Sequence, residues 1–138
     1  MGVYQSKIKK LSGSKYSEVY PKALFLYKRI ASTTKRRPYV RSIFFKKEKI
    51  FLDYFWQHLR EKNVNDKIRR LAFYSCALDL IRNCRNMPVT KINPNKKSEI
   101  LHRFTGSNSS NERFCVQIKE DIKRGQKYFL SVFPFDKQ

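Results

Sequence analysis

Ile100-Leu-His-Arg-Phe-Thr105, Glu112-Arg-Phe-Cys-Val-Gln-Ile-Lys119 and Lys127-Tyr-Phe-Leu-Ser-Val-Phe-Pro134 are three short segments rich in β-branched and aromatic residues. The polar loop Gly106–Asn111 separates the first two, and the turn Asp121–Gly125 separates the last two. The pattern predicts a three-stranded antiparallel meander. Alternation along the second segment puts Phe114, Val116 and Ile118 on one face and Arg113, Cys115, Gln117 and Lys119 on the other. In the third, Tyr128, Leu130 and Val132 oppose Phe129, Ser131 and Phe133. A turn flanked by Glu120 and Gln126 sets Cys115 opposite Ser131 and Gln117 opposite Phe129, and tight closure of the first loop brings His102 near Cys115. The polar face then presents His102, Arg113, Gln117, Lys119, Phe129 and Ser131. A one-residue slip instead turns His102 toward the core and brings Arg103 and Thr105 outward. Any half-exposed antiparallel sheet has a polar face, so alternation alone assigns no function.

Upstream, Ile50, Phe51, Tyr54, Phe55, His58 and Leu59 recur at three- and four-residue steps and predict a helix over Lys46–Glu61. The Asn63–Asp66 cluster ends it and supplies the next N-cap. From Asp66 to about Asn83 there are two apolar stripes, Ile68/Leu71/Ala72/Ser75/Leu78 and Phe73/Cys76/Ala77/Leu80/Cys84, as a central helix carries. The short polar link predicts an antiparallel helical hairpin over 46–85. Met87–Ile92 reads as a further extended segment before the Asn93–Lys97 turn, so the sheet spans 87–134. Residues 1–40 read as a basic N-terminal arm with a short helix from Pro21 to Ala31, residues 41–138 as one domain, and Phe135–Gln138 as a short tail. The expected fold class is α+β, with N-terminal helices packed on one face of a small C-terminal antiparallel β-sheet.

The 138 residues suit one domain, and 41% hydrophobic content supports a real core. Net charge is +20, and residues 1–50 hold 14 Lys and Arg against 2 Asp and Glu. Such an excess draws polyanions, nucleic acid first and anionic membrane surfaces second. No apolar run approaches the roughly 20 residues of a membrane span, and no apolar stretch follows the basic N-terminus as in a secretory signal. Cys76, Cys84 and Cys115 are odd in number and lack CxxC spacing, which predicts reduced, mostly buried thiols in a cytoplasmic protein and no zinc site. The run Lys35-Arg36-Arg37, with Lys46, Lys47 and Lys49, lies beside Tyr39, Phe44 and Phe45. Charge runs are usually solvated faces, yet this density beside aromatics fits contact with a nucleic-acid backbone.

Several blocks between Ser42 and Pro134 carry a resemblance: Lys49-Ile-Phe-Leu-Asp-Tyr-Phe-Trp56, Cys76-Ala-Leu-Asp-Leu-Ile81, Glu99-Ile-Leu-His-Arg-Phe-Thr-Gly106, Phe114-Cys-Val-Gln-Ile-Lys-Glu120 and Tyr128-Phe-Leu-Ser-Val-Phe-Pro134. They resemble small bacterial and mobile-element domains similar to the barnase–EndoU–colicin–RelE (BECR) nuclease superfamily, including its phage-associated branch. The resemblance covers about two thirds of the chain. It implies helices followed by an antiparallel sheet, and metal-independent RNA cleavage without a cofactor by an endoribonuclease of toxin or mobile-element type. It makes His102 the acid/base and Arg103 or Arg113 a phosphate ligand, with Thr105, Gln117, Lys119 and Ser131 lining the site. The superfamily varies its catalytic set, and no second histidine lies in these strands, which leaves the partner acid unassigned.

Cleavage of RNA by its own 2′-hydroxyl needs a base, an acid and cations around the phosphorane, roles that His, Arg and Lys fill. The expected catalytic set is therefore His102, Arg103, Thr105, Lys119 and Ser131. The expected substrate-binding set is Arg113, Gln117, Lys91, Lys35, Arg36, Arg37, Lys46 and Lys47. His58, among helix aromatics, reads as structural, and Tyr54, Phe55 and Trp56 read as packing. Expected partners are RNA, with ribosome or tRNA as possible targets, and an inhibitor or antitoxin protein. The alternative on the same scaffold is a non-catalytic RNA- or ribosome-binding protein.

Overall fold

The structure, a computed structural model, describes residues 2–135, so the expected tail lies almost wholly outside the described residues. In chain order the elements are β1 (Tyr4–Gln5), α1 (Tyr16–Ala31), β2 (Tyr39–Ser42), β3 (Glu48–Phe51), α2 (Asp53–Leu59), α3 (Val64–Ala72), α4 (Tyr74–Asn83), β4 (Val89–Ile92), β5 (Glu99–Ser107), β6 (Arg113–Asp121) and β7 (Lys127–Pro134). The fold mixes helices and sheet, but the sheet is larger than the sequence suggests. Among the described residues seven strands form one sheet, in the order β1-β5-β6-β7-β3-β2 with β4 also paired to β5. The β4–β7 stretch is the antiparallel meander, whereas β1 joins β5 and β3 joins β7 in parallel. A small C-terminal antiparallel sheet is thus corrected to a mixed one drawing on most of the chain. Period-2 alternation reveals a strand but not its distant neighbour, and both parallel pairings join segments more than 70 residues apart.

Two expected elements change identity. Lys46–Phe51 is not the start of a helix. Lys46 and Lys47 end the turn over 43–47 between β2 and β3, and Ile50 is fully buried on β3 opposite Val40 and Lys127. The helical spacing from Ile50 to Leu59 is real only from Asp53 onward, because Ile50 and Phe51 alternate faces as strand residues do. The basic arm is likewise built into the fold: α1 begins at Tyr16, keeps Pro21 inside it, and packs on α3. Glu18 starts it by accepting the main-chain N–H groups of Ser14 and Lys15 at 2.9 and 3.1 Å.

The second helix of the expected hairpin is divided at Phe73 into α3 and α4. The stripe Phe73/Cys76/Ala77/Leu80/Cys84 is buried throughout. The other is buried at Leu71, Ala72 and Leu78 but not at Ile68 and Ser75, and Tyr74 and Ile81, in neither stripe, are buried too. Asn63 caps α3 by accepting from the Asp66 N–H at 2.8 Å. Asn63→Ala is expected to destabilise the protein by about 1 kcal/mol, measured as a urea midpoint shift with unchanged slope.

Loop chemistry sets the strand register. The Asn108 side chain accepts from Ser110 and Glu112 N–H groups at 3.0 and 2.9 Å, closing a turn that pairs Ser107 with Arg113. His102 therefore faces Ile118, Arg103 faces Gln117 and Thr105 faces Cys115. At the other turn Gly125 takes φ +72, and its N–H donates to Asp121 O at 2.7 Å. Between β6 and β7 the register shifts: Gln117 faces Ser131, but Ile118 faces Phe129, so Leu130 is an extra residue. This bulge moves Phe129 off the polar face and into the core, fully buried and stacked on Phe55 at 4.8 Å.

The core lies between one face of β5–β7 and the helices, with Phe114 against Phe73 and Phe129 against Phe55 and Tyr74. The sheet curls, since Phe44 and Phe45 of the β2–β3 connection reach Phe104 on β5. Lys46 and Lys47 hold φ of 56° and 67° at the end of the five-residue connection 43–47, where Glu48 N–H donates to Phe45 O at 3.0 Å and Lys47 N–H to Ser42 O at 2.7 Å. Non-glycine residues in this left-handed region cost about 1–2 kcal/mol each. Replacing the pair with Asn-Gly, which adopt left-handed backbone more readily than lysine, is expected to stabilise the fold by roughly 1–2 kcal/mol, seen as a raised melting temperature.

Candidate nucleic-acid interface

Strand pairing gathers the open face of the sheet row by row. One row runs Lys91, Leu101, Lys119, Tyr128, Phe51 and Tyr39 across six strands. A second holds Val89, Arg103, Gln117 and Ser131, and a third holds Thr105, Cys115 and Phe133. Arg103, Thr105, Gln117, Lys119 and Lys91, named from the sequence, therefore share a face, with Arg113 at its end opposite Ser107. Ser131 points the same way but is buried, as is Cys115.

Cations stack on the three rings that end the first row. The Arg37 guanidinium lies 4.7 Å from the Phe51 ring centre, 5.2 Å from Tyr128 and 5.5 Å from Tyr54 of α2. Asp53 holds that guanidinium in a two-pronged pair, Nε–Oδ2 3.1 Å and Nη2–Oδ1 2.9 Å, and pushes its pKa above the ordinary value. Lys119 Nζ sits 4.3 Å from Tyr54, and Lys49 Nζ 4.7 Å from Tyr39. On the third row Phe133 has Arg70 of α3 at 5.4 Å and Arg103 at 5.6 Å. Such stacking fixes long side chains without removing their charge.

Residues of this face line two recesses. One of about 670 Å³ is lined by Thr33, Thr34, Lys35, Arg36, Arg37, Tyr39, Lys49, Phe51 and Gln126. The expected cluster Lys35-Arg36-Arg37 is thus joined by Lys49 and Tyr39, which the same charge run suggested, and by Gln126, which nothing local pointed to. The other, of about 280 Å³, is lined by Val89, Lys91, Leu101, Arg103, Thr105, Gln117 and Phe135, and an adjoining groove of about 270 Å³ adds Arg113. Glu99 beside them pairs with Lys119 at 3.4 Å. Burial alone would raise its pKa, but Asn93 and Lys119 hold it below the usual carboxylate range. Lys46 and Lys47 belong to neither recess. They occupy the hairpin tip whose Phe45 lies against His102, on the sheet's other side.

His102 takes the slipped register. Its ring is 5.0 Å from Phe45 and the residue is only 7% exposed. Its Nδ1 is 2.8 Å from Thr90 Oγ1 and its Nε2 2.8 Å from Glu120 Oε1. A neutral ring satisfies both by donating from Nε2 to the carboxylate and accepting the threonine hydroxyl at Nδ1. The chain continues through Lys127, 3.8 Å from Glu120 and 2.6 Å from Glu48. The structure thus separates His102 from Arg103, Thr105 and Lys119, with which the resemblance grouped it. The histidine on the side of Lys119 is His58. It lies one turn beyond Tyr54 on α2, and burial together with Lys62, Arg70 and Lys119 lowers its pKa against an opposing effect of Glu61. The i,i+4 spacing of Tyr54 and His58 was visible in the sequence, but not which surface that stripe would meet.

The three cysteines are buried free thiols, and burial raises the pKa of each, that of Cys76 to about 11. Among the described residues no group of three or more His, Cys, Asp or Glu is placed to hold a metal ion, and no helix is long and apolar enough to cross a membrane. No family model matches the chain, and no match is found among curated proteins or solved structures. The class is therefore defined by its own geometry: an α+β protein with a curled, mixed seven-stranded sheet and a basic, aromatic-studded open face.

Proposed function

We propose that the protein binds single-stranded RNA across the open face of its sheet. The observation that carries this reading is the stacking of Arg37, Lys49 and Lys119 on the rings of one cross-strand row, flanked by two basic recesses. Six strands at about 4.8 Å spacing make a row roughly 24 Å long, enough for a few nucleotides. Tyr39 and Phe51 offer ring surface for bases, while Lys35, Arg36, Lys49, Arg103 and Lys119 meet phosphates. Tyr128 is buried beneath Tyr54 and serves as support. Ribosomal RNA and tRNA fall within this class of ligand.

Endoribonuclease activity of toxin or mobile-element type is the second reading, favoured by the BECR resemblance and by His58. An imidazole kept largely neutral beside cations is suited to accept the 2′-hydroxyl proton, with Lys119, Arg103 and Arg70 stabilising the phosphorane. One experiment addresses both readings: full-length protein incubated with labelled RNA in EDTA, beside His58→Ala, His102→Ala and Arg103→Ala/Lys119→Ala. Salt-dependent binding lost in the double variant supports the first. Cleavage leaving 2′,3′-cyclic phosphate ends and lost in His58→Ala supports the second. No RNA binding by folded protein at low salt sinks both, and cleavage lost only in folded His102→Ala returns the chemistry to the other side of the sheet.

A further inference from the structure

We infer that β4 is a docking edge for an extended acidic segment of another protein, which adds to the sheet as an eighth strand. This goes beyond RNA binding and does not rest on it. Four residues at this edge are exposed large hydrophobics: Met87 at 67%, Val89 at 59%, Ile92 at 60% and Phe135 at 45%. Met87, Val89 and Phe135 line one groove, and Ile92 stands on the other face of the strand. Apolar side chains exposed on both faces of a free strand mark a protein contact.

The main chain is equally unpartnered. β4 pairs with β5 and with no other described strand. Asn93 N–H donates to Glu99 O at 2.9 Å in the same register, so Asn93, Lys91 and Val89 turn their amide groups toward β5. Antiparallel alternation then points the N–H and C=O groups of Thr90 and Ile92 at the free edge. An added strand meets these groups, which is how extended peptides join sheet edges.

Charge selects the occupant. Two copies of a chain of net charge +20, paired through β4, would bring Lys91 and its neighbour Arg103 close to their own duplicates. An acidic segment sets carboxylates against those cations and apolar side chains into the adjoining groove beside Val89 and Phe135.

The test uses the full chain and a synthetic, N-acetylated peptide of alternating glutamate and valine, with a lysine–valine peptide as control. Saturable binding of the acidic peptide, with amide exchange at Thr90 and Ile92 slowed about tenfold or more, supports the proposal. Ile92→Pro removes an edge donor without removing a ladder bond and is expected to abolish binding, with the remaining exchange pattern reporting that the fold persists. Val89→Asp, a surface change, is expected to weaken binding about tenfold and decides the matter if the proline variant does not fold. The proposal is overturned if the acidic peptide fails to bind, if it binds a folded Ile92→Pro variant equally well, or if the lysine peptide binds as tightly. It is also overturned if the two amides are protected instead by concentrating the protein alone, which reports self-pairing, or by single-stranded RNA.

Discussion

Lys35→Ala/Arg36→Ala/Lys49→Ala is expected to bind single-stranded RNA about fifty-fold more weakly than the unmodified chain at near-physiological salt. The three cations line one recess beside Tyr39 and Phe51. Each phosphate contact on a single strand contributes a salt exponent of about 0.7, which at roughly 0.15 M salt is a factor of nearly four in affinity. Three lost contacts multiply to about fifty and flatten the log–log salt dependence by about 2. Fluorescence anisotropy over a salt series reads both quantities. Lys46→Ala/Lys47→Ala removes cations equally near in sequence but carried on a hairpin tip outside both recesses, and is expected to change affinity by less than about threefold. Equal losses in the two variants would mean diffuse attraction by net charge, and the recess would then have no special part in binding.

Phe129→Ala is expected to destabilise the fold by about 3–5 kcal/mol, the largest single loss anticipated here. Phe129 is fully buried, lies parallel to Phe55 at 4.8 Å and contacts Tyr74 at 6.0 Å, so truncation leaves a void among rings that themselves fill the core. Against a typical total of 5–15 kcal/mol, that places the variant near its unfolding threshold at 37 °C. Urea unfolding followed by circular dichroism measures it. The value also tests the bulge at Leu130. Were β7 regular from Ser131 onward, Phe129 would stand on the open face with Ser131 and Phe133, and truncation would cost under about 1 kcal/mol.

The two expectations differ in what they owe to the linear chain. Net charge and the Lys35–Arg37 run point to a polyanion before any coordinates are known, and the aromatic neighbour Tyr39 is adjacent in sequence. Gln126 enters the same recess only because β3 lies parallel to β7. Similarly, the Tyr54/His58 stripe is legible as one side of a helix. That it meets Lys119 rather than the core follows from the packing of α2 on β7.

By itself the sequence determined the three strands of the meander, the buried stripes of α3 and α4, and the basic character of the molecule, because each is written in local periodicity or composition. It also determined that Arg103 and Thr105 share a face and that His102 takes the opposite one, since successive strand residues alternate. Which of those faces is wet was decided by tertiary structure. The Asn108 turn sets Ser107 against Arg113, and every pairing back to Glu99 follows from it. Tertiary structure alone also decided that Glu48–Phe51 is a hairpin arm, that Leu130 bulges, and that β1 and β3 enlarge the sheet. Each depends on contacts between distant segments, whose free energy outweighs local helical spacing and leaves no period in the chain to be read.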